Sequence, residues 1–329
     1  MFKPCAPPSE IIDFIKQNSH FVVAGHREPD GDCIGSQIAL GSALNRLGKN
    51  VILCQAGPFK RREVSRYADR FVSELPAAVR CNAAAIIVDC SSRERTGEEI
   101  EKQLAGLPFA IIDHHARCKD LPDASYIDAN APAATVLVCT LIKSLGLDLT
   151  QEEAELLFLG LCTDSGFFRH LESGGGYAFS LAAELVDAGA SPKKTFEVMS
   201  GGKSLNSRRL LGAILSRVTS YFDDRLLVST ERLEETERYG LEGRDSDSLY
   251  QLLMAVDKVE AIAVIRQESA QSCTVGLRSR EKIDVSRIAD ALGGGGHKNA
   301  AGIAINGQIT EIQDKLLSEF KKDFLAAFE

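Results

Sequence analysis

The chain has 329 residues, a net charge of −8, and 44% hydrophobic against 26% charged residues, which suits two domains of about 100 to 200 residues and excludes both a disulfide-held miniprotein and a disordered chain. No run approaches the ~18 to 20 apolar residues of a membrane helix, and the start MFKPCAPPSE lacks a secretory pattern, so a cytoplasmic protein with no membrane partner is expected. Neither half carries the basic excess with which a protein tracks a long phosphate backbone, which argues against long duplex DNA as a partner.

Short apolar runs alternate with amphipathic stretches over the first 130 residues. FVVAG at 21–25, VILC at 51–54, AAIIVD at 84–89 and FAIID at 109–113 read as strands buried on both faces. Between the first two, Cys33 to Leu47 repeats Ile34, Ile38, Leu40, Leu44 and Leu47 at helical spacing. The pattern predicts a doubly wound, mainly parallel α/β domain over 1–190, with 132–188 as helical flank. Gly-Ala-Ser-Pro at 189–192 and SGGKSLNSRR at 200–209 mark a connection over 191–209. A smaller α/β domain over 210–329 follows, with LLVST from 226, AIAVIRQ at 261–267 and SCTVGLRS at 272–279 as a mixed sheet. A helix is expected around 246–256 and another from Thr310, and the substrate is expected in the gap between the domains. The nine cysteines (5, 33, 54, 81, 90, 118, 139, 162 and 273) contain no CxxC pair and read as reduced thiols.

Strand ends carry the chemistry. His26, Asp30 and Asp32 follow the first strand in HREPDGD, Asp89 ends AAIIVD, Asp113-His114-His115 ends FAIIDHH, and Asp164 ends the helix-like LCTD. An acid at a strand end is commonly a cap or turn former, but its recurrence at successive strand ends is not explained that way, because clustered buried acids are costly unless paired or metal-bound. Carboxylates and imidazoles without thiolates suit hard divalent ions, Mn²⁺ or Mg²⁺ rather than structural zinc. There are enough of them for two ions about 3.5 to 4 Å apart, with Asp89 as the natural bridge. Gly35-Ser36 could offer N–H groups and a hydroxyl to a phosphate. In the second domain, four glycines at 293–296 followed by His297 could approach a nucleotide closely, and Arg278 could bind a phosphate bidentately.

With HREPDGDCIGS at 26–36, IIVDCS at 86–91, IIDHHA at 111–116, GLCTDSGFFR at 160–169, GLRSR at 276–280 and GGGGHKNAAG at 293–302, the chain resembles the DHH phosphoesterase family with its associated substrate-binding domain. Within that family the two-domain arrangement is similar to the oligoribonucleases that also dephosphorylate 3′-phosphoadenosine 5′-phosphate. The resemblance implies a hydrolase that degrades short RNA to mononucleotides and removes that 3′-phosphate. It implies one ion on His26, Asp30 and Asp89 and another on Asp32, Asp89, His114 and Asp164. His115 would meet the substrate phosphate or a water, with Asp113 behind it. Arg278, Ser279, Gly295, Gly296 and His297 would bind substrate. Two departures from the family pattern are Ser165 in place of a threonine and Ala134 in place of a serine. A dinucleotide phosphodiesterase would use the same groups. A non-catalytic nucleotide sensor would usually have lost a ligand, and none is missing. A homodimer is compatible with this reading.

Overall fold

The computed structural model describes residues 4–80, 82–115 and 121–328; Cys81, Cys118 and the Ala116 of the expected IIDHHA stretch lie outside the described residues. The chain divides into two compact units, Met1–Gly201 and Gly202–Glu329.

The first unit holds five strands: β1 (His20–Ala24), β2 (Asn50–Cys54), β3 (Ala84–Val88), β4 (Phe109–Asp113) and β5 (Ser125–Ile127). They run parallel throughout in the order β2-β1-β3-β4-β5. Alternation along the strands sends Phe21, Val23, Ile86 and Val88 to a core with Ile34 and Leu157. Val22, Ala24, Ala85 and Ile87 go to a second core with Ile100 and Leu104. Both faces are therefore covered by helices, the condition under which strands become near-continuous apolar runs. The chain leaves β1 for β2 on one side and returns to β3 on the other, so a topological switch point opens at the carboxyl ends of β1 and β3.

The helix Gly31–Arg46 starts at that point because Asp30 caps it, accepting hydrogen bonds from the N–H groups of Asp32 and Cys33 at 3.1 Å each. Its side chains are buried along most of its length against the helices Ala134–Ser144 and Gln151–Asp164. A Cβ on Gly35 would overlap the Leu156 carbonyl, so the glycine sets how closely the first and third of these helices pack. The buried Glu153 carboxylate pairs with Arg46 at 2.7 Å and ties the same two helices.

The stretch expected as a connection is largely helical. Ser191 accepts from the Lys194 N–H and is followed by Pro192, so Pro192–Ser200 forms a helix. Ser204 caps Leu205–Leu215 in the same way, which leaves 201–204 between the two helices.

The second unit holds β6 (Thr219–Tyr221), β7 (Leu226–Glu231), β8 (Ala261–Ser269), β9 (Ser272–Ser279), β10 (Gly295–His297) and β11 (Ala300–Asn306). Their order is β10-β11-β9-β8-β7-β6, with β7 and β8 parallel and the other pairs antiparallel. One face packs Ala263, Ile265, Val275 and Leu277 on Ile288, Leu316 and Phe320. The other packs Ile262 and Val264 on Leu210, Tyr250 and Leu253. The described cysteines are free thiols, buried except Cys5. Among the described residues no helix is long and apolar enough to cross a membrane.

The helix contact at Gly35 gives a direct test. Gly35→Ala should lower stability by about 1–3 kcal/mol through overpacking against the Leu156 carbonyl. The urea midpoint of the first transition should fall with its slope unchanged.

Candidate active site

Asp89 leaves β3 with φ of +52°, a left-handed conformation, and the residue is 2% exposed. Its two oxygens face opposite partners. Oδ2 lies 3.4 Å from His26 Nε2, which also sits 3.8 Å from Asp30 Oδ1. Oδ1 lies 3.4 Å from His114 Nε2, which sits 3.1 Å from Asp164 Oδ2 and 3.8 Å from Asp32 Oδ2. The structure thus brings together all six residues expected as metal ligands, in two groups that share Asp89.

The imidazoles are turned for ligation. His26 Nδ1 lies 2.9 Å from the Arg27 carbonyl and His114 Nδ1 lies 3.1 Å from the Ala131 carbonyl. A carbonyl only accepts, so Nδ1 carries a hydrogen in both rings, and Nε2 faces the carboxylates as the nitrogen that would ligate a metal once its proton is displaced. His114 Nε2 and Asp89 Oδ1 are buried and have no aligned hydrogen bond. Two orphaned atoms of this kind facing each other, among carboxylates, fit a divalent cation.

Electrostatics point the same way. Burial disfavours charge on both imidazoles, yet the carboxylates prevail: Asp30 and Asp89 hold His26 far above the usual range, and Asp164 and Asp89 raise His114 to about 11. Burial also raises Asp30, but contact with His26 and the Cys33 N–H brings it down to about 2. Asp32, wholly buried beside Asp89 and Asp164, is pushed well above the carboxylate range. Protons on the imidazoles stand where a metal would supply positive charge.

Asp32 is held by a device that its sequence neighbours do not reveal. Its oxygens accept from the backbone N–H groups of Ala134 and Thr135 at 2.5 and 2.8 Å, at the start of the helix Ala134–Ser144. Backbone rather than a side-chain hydroxyl makes these bonds, so alanine at 134 leaves the cap intact. Asp113, fully buried, accepts from the N–H groups of His114 and His115 and from His115 Nδ1 at 2.7 Å. The pairing puts a proton on His115 Nδ1, on a ring that is partly exposed.

The expectation for Gly35-Ser36 is overturned. The helix begins at Gly31, so both residues lie in its buried interior and cannot meet a phosphate. Sequence reasoning also missed Cys33, whose sulfur lies with ligand atoms of His26 and Asp89 in one group within 4.8 Å. Burial raises its pKa to about 12, and it donates to Gln37 Oε1, so it stands as a neutral thiol.

In the second unit, the four glycines do not form a free anion loop. Gly295 and Gly296 belong to the edge strand β10, which turns through Lys298-Asn299 into β11. The pairing aligns residues far apart in sequence. Ile262, Arg278, Ala300 and His297 form one row across β8, β9, β11 and β10. Val264, Gly276, Gly302 and Gly295 form the adjacent row on the same face. A Cβ on Gly302 or Gly295 would meet nothing closer than 3.8 Å. A strip without side chains therefore runs beside Arg278 and His297. Ser279 is otherwise engaged: its buried hydroxyl lies 2.7 Å from the Ile283 carbonyl and 3.2 Å from that of Lys298.

A parallel sheet whose switch point gathers two acid-imidazole groups around a shared aspartate defines a DHH-type phosphoesterase centre. The sequence matches the DHH family, N-terminal domain, over residues 20–161 and the DHHA1 domain over residues 223–323, and the chain belongs to the DHH family. It is 29% identical to the bifunctional oligoribonuclease and PAP phosphatase NrnA of Thermus thermophilus, over 93% of this chain and 90% of that protein. It is 26% identical to the cyclic-di-AMP phosphodiesterase GdpP of Bacillus subtilis, over 92% of this chain but 48% of that protein. The fold is shared with an exopolyphosphatase-related protein from Bacteroides fragilis, at a TM-score of 0.78 and 21% identity, over 100% of both chains.

Divalent metal should stabilise the protein by about 2.7 kcal/mol at a concentration 100 times its Kd. Asp89→Asn should fold but lose most of this shift, because it weakens both donor groups at once. A thermal melt with and without Mn²⁺ checks this, and an undiminished shift in the variant would contradict the bridging role.

Proposed function

We propose that the protein is a metal-dependent phosphoesterase that hydrolyses short RNA oligonucleotides to mononucleotides and removes the 3′-phosphate of 3′-phosphoadenosine 5′-phosphate. The observation that carries this reading is Asp89, with one oxygen toward each of two ligand groups. Oxygen and imidazole donors suit two Mn²⁺ ions, with Mg²⁺ second. One would be held by His26, Asp30 and Asp89, the other by Asp32, Asp89, His114 and Asp164. When bound, such ions polarise phosphoryl oxygens and activate water.

The chain's own residues supply the rest. Asp113 fixes the ring of His115 so that Nε2 meets a phosphate oxygen or the attacking water. A cavity of about 450 Å³ beside Asp164 is lined by Asn130, Pro132, His170 and Glu172. Its carboxylates repel phosphate, so it suits the uncharged nucleoside of the leaving group. Arg278 and His297, beside the glycine strip, bind the phosphate or sugar remote from the reacting bond, and Ser279 positions this segment through its two carbonyl contacts. The NrnA relative supports the oligonucleotide and phosphoadenosine reading. The GdpP relative favours a second one, hydrolysis of dinucleotides by the same groups.

The deciding experiment presents the purified protein and Mn²⁺ with phosphoadenosine phosphate, RNA of increasing length, cyclic dinucleotides and pyrophosphate. Short RNA and phosphoadenosine phosphate should be turned over fastest; preference for cyclic dinucleotides would replace this reading by the second. With a net charge of −8 the protein has little long-range pull on a polyanion. kcat/KM should therefore fall as RNA lengthens from about two to about 20 nucleotides, with a shallow salt dependence. Asp113→Asn should lower kcat about 10–100-fold by freeing the His115 ring. Gly302→Val should fold at least as well, since valine favours strands, yet raise KM by filling the strip; an unchanged KM would remove the strip from the binding surface.

A further inference from the structure

Arg278 forms no ion pair among the described residues, although it is only half-buried. It is held instead by an aromatic ring. Its guanidinium carbon lies 4.4 Å from the centre of the Tyr250 ring, and Nη1 donates to the Leu277 carbonyl at 2.8 Å. Tyr250 comes from the helix Ser246–Met254 and is 7% exposed, packed with Leu249, Ile262 and Val264. Arg266, the other arginine near the ring, lies 6.0 Å away and is neutralised by Glu231 at 3.1 Å.

The sequence Gly276-Leu277-Arg278 explains how the ring reaches this place. Residues two apart on a strand share a face, so Gly276 lies beside Arg278 under the same helix. A Cβ on Gly276 would overlap the Tyr250 hydroxyl. Only a residue without a side chain lets the tyrosine reach across β9 to the guanidinium. With the guanidinium held over the ring and one N–H engaged, Arg278 keeps further N–H donors in its planar fork, the group that receives a phosphate bidentately. A flexible arginine would lose more entropy on binding.

We propose that Tyr250 is a positioning residue for substrate: it holds Arg278, through the gap left by Gly276, in the orientation that binds a phosphate. This rests on the reading that Arg278 contacts substrate. Tyr250→Leu, Tyr250→Phe, Gly276→Ala, Arg278→Ala and the Tyr250→Leu/Arg278→Ala pair are compared on a dinucleotide with Mn²⁺, with thermal melts as folding controls. A stacked cation contributes enough for Tyr250→Leu to raise KM about fivefold or more, with kcat falling less. Tyr250→Phe keeps the ring and should stay within about twofold of the wild-type KM. Gly276→Ala, which pushes the ring aside without removing it, should raise KM and covers the case in which Tyr250→Leu does not fold. Most tellingly, Tyr250→Leu should add nothing to KM once Arg278 is alanine. Additive effects in the double variant, or equal losses in the phenylalanine and leucine variants, would overturn the proposal and leave Arg278 as a substrate ligand. An unchanged KM in Arg278→Ala would overturn the reading of Arg278 itself, and the proposal with it.

Discussion

A buried carboxylate on a residue at φ +52° is an expensive arrangement twice over: the charge is desolvated and the backbone is in a region that non-glycine residues avoid. Asp89 keeps it because the turn after β3 aims both oxygens into the switch point, one toward His26 and one toward His114. An extended residue there would carry the side chain to one face of the sheet. The sharing of one carboxylate between two groups of ligands follows from that turn, and the remaining acids must then crowd into the space around it.

The protein offsets part of their mutual repulsion with helix ends, and among the described residues none of these acids forms an ion pair with a lysine or arginine. Asp30 accepts two N–H bonds at the start of the helix Gly31–Arg46, and Asp32 accepts two at the start of Ala134–Ser144. Each helix N-terminus lends partial positive charge to one acid. That is enough to seat the carboxylates but leaves their net charge for a cation, and the raised imidazoles report the same deficit. A fixed arginine would have neutralised the site without leaving it able to exchange ions. Close packing of the helices, which Gly35 permits, brings Asp32 and Asp164 within reach of the same histidine.

How much of this was legible in the sequence follows the range of the interactions involved. Strands buried on both faces show as apolar runs, and residues at their carboxyl ends must converge at the switch point, so His26, Asp89 and His114 could be found without coordinates. Contacts set by long-range register could not. That Arg278 and His297 share a row depends on Ala300 pairing with both, and nothing in the spacing of 278 and 297 states it. The glycine run suggested a loop because glycine is a loop former; half of it became a strand because β11 offers an unpaired edge. Cys33 was hidden because a lone thiol without a CxxC partner usually signifies packing, and Gly35-Ser36 misled because the helix starts earlier than its apolar repeat.

The second unit solves a different problem from the first. Among the described residues the Arg278 row carries no acid; its polar side chains are one guanidinium and one exposed imidazole. The row from Arg278 to His297 crosses two strand spacings, about 10 Å, which is room for a phosphate and its sugar but not for a track. On the proposed reading, affinity from so few groups must come from pre-organisation, because each immobilised side chain otherwise costs entropy comparable with its contact. The stacked arginine and the side-chain-free strip both reduce that cost, one by fixing a donor and the other by letting backbone approach the ligand with no side chain to displace. If this row receives the substrate as proposed, it gains little from additional nucleotides, so limits on substrate length would arise in the same few residues that provide binding.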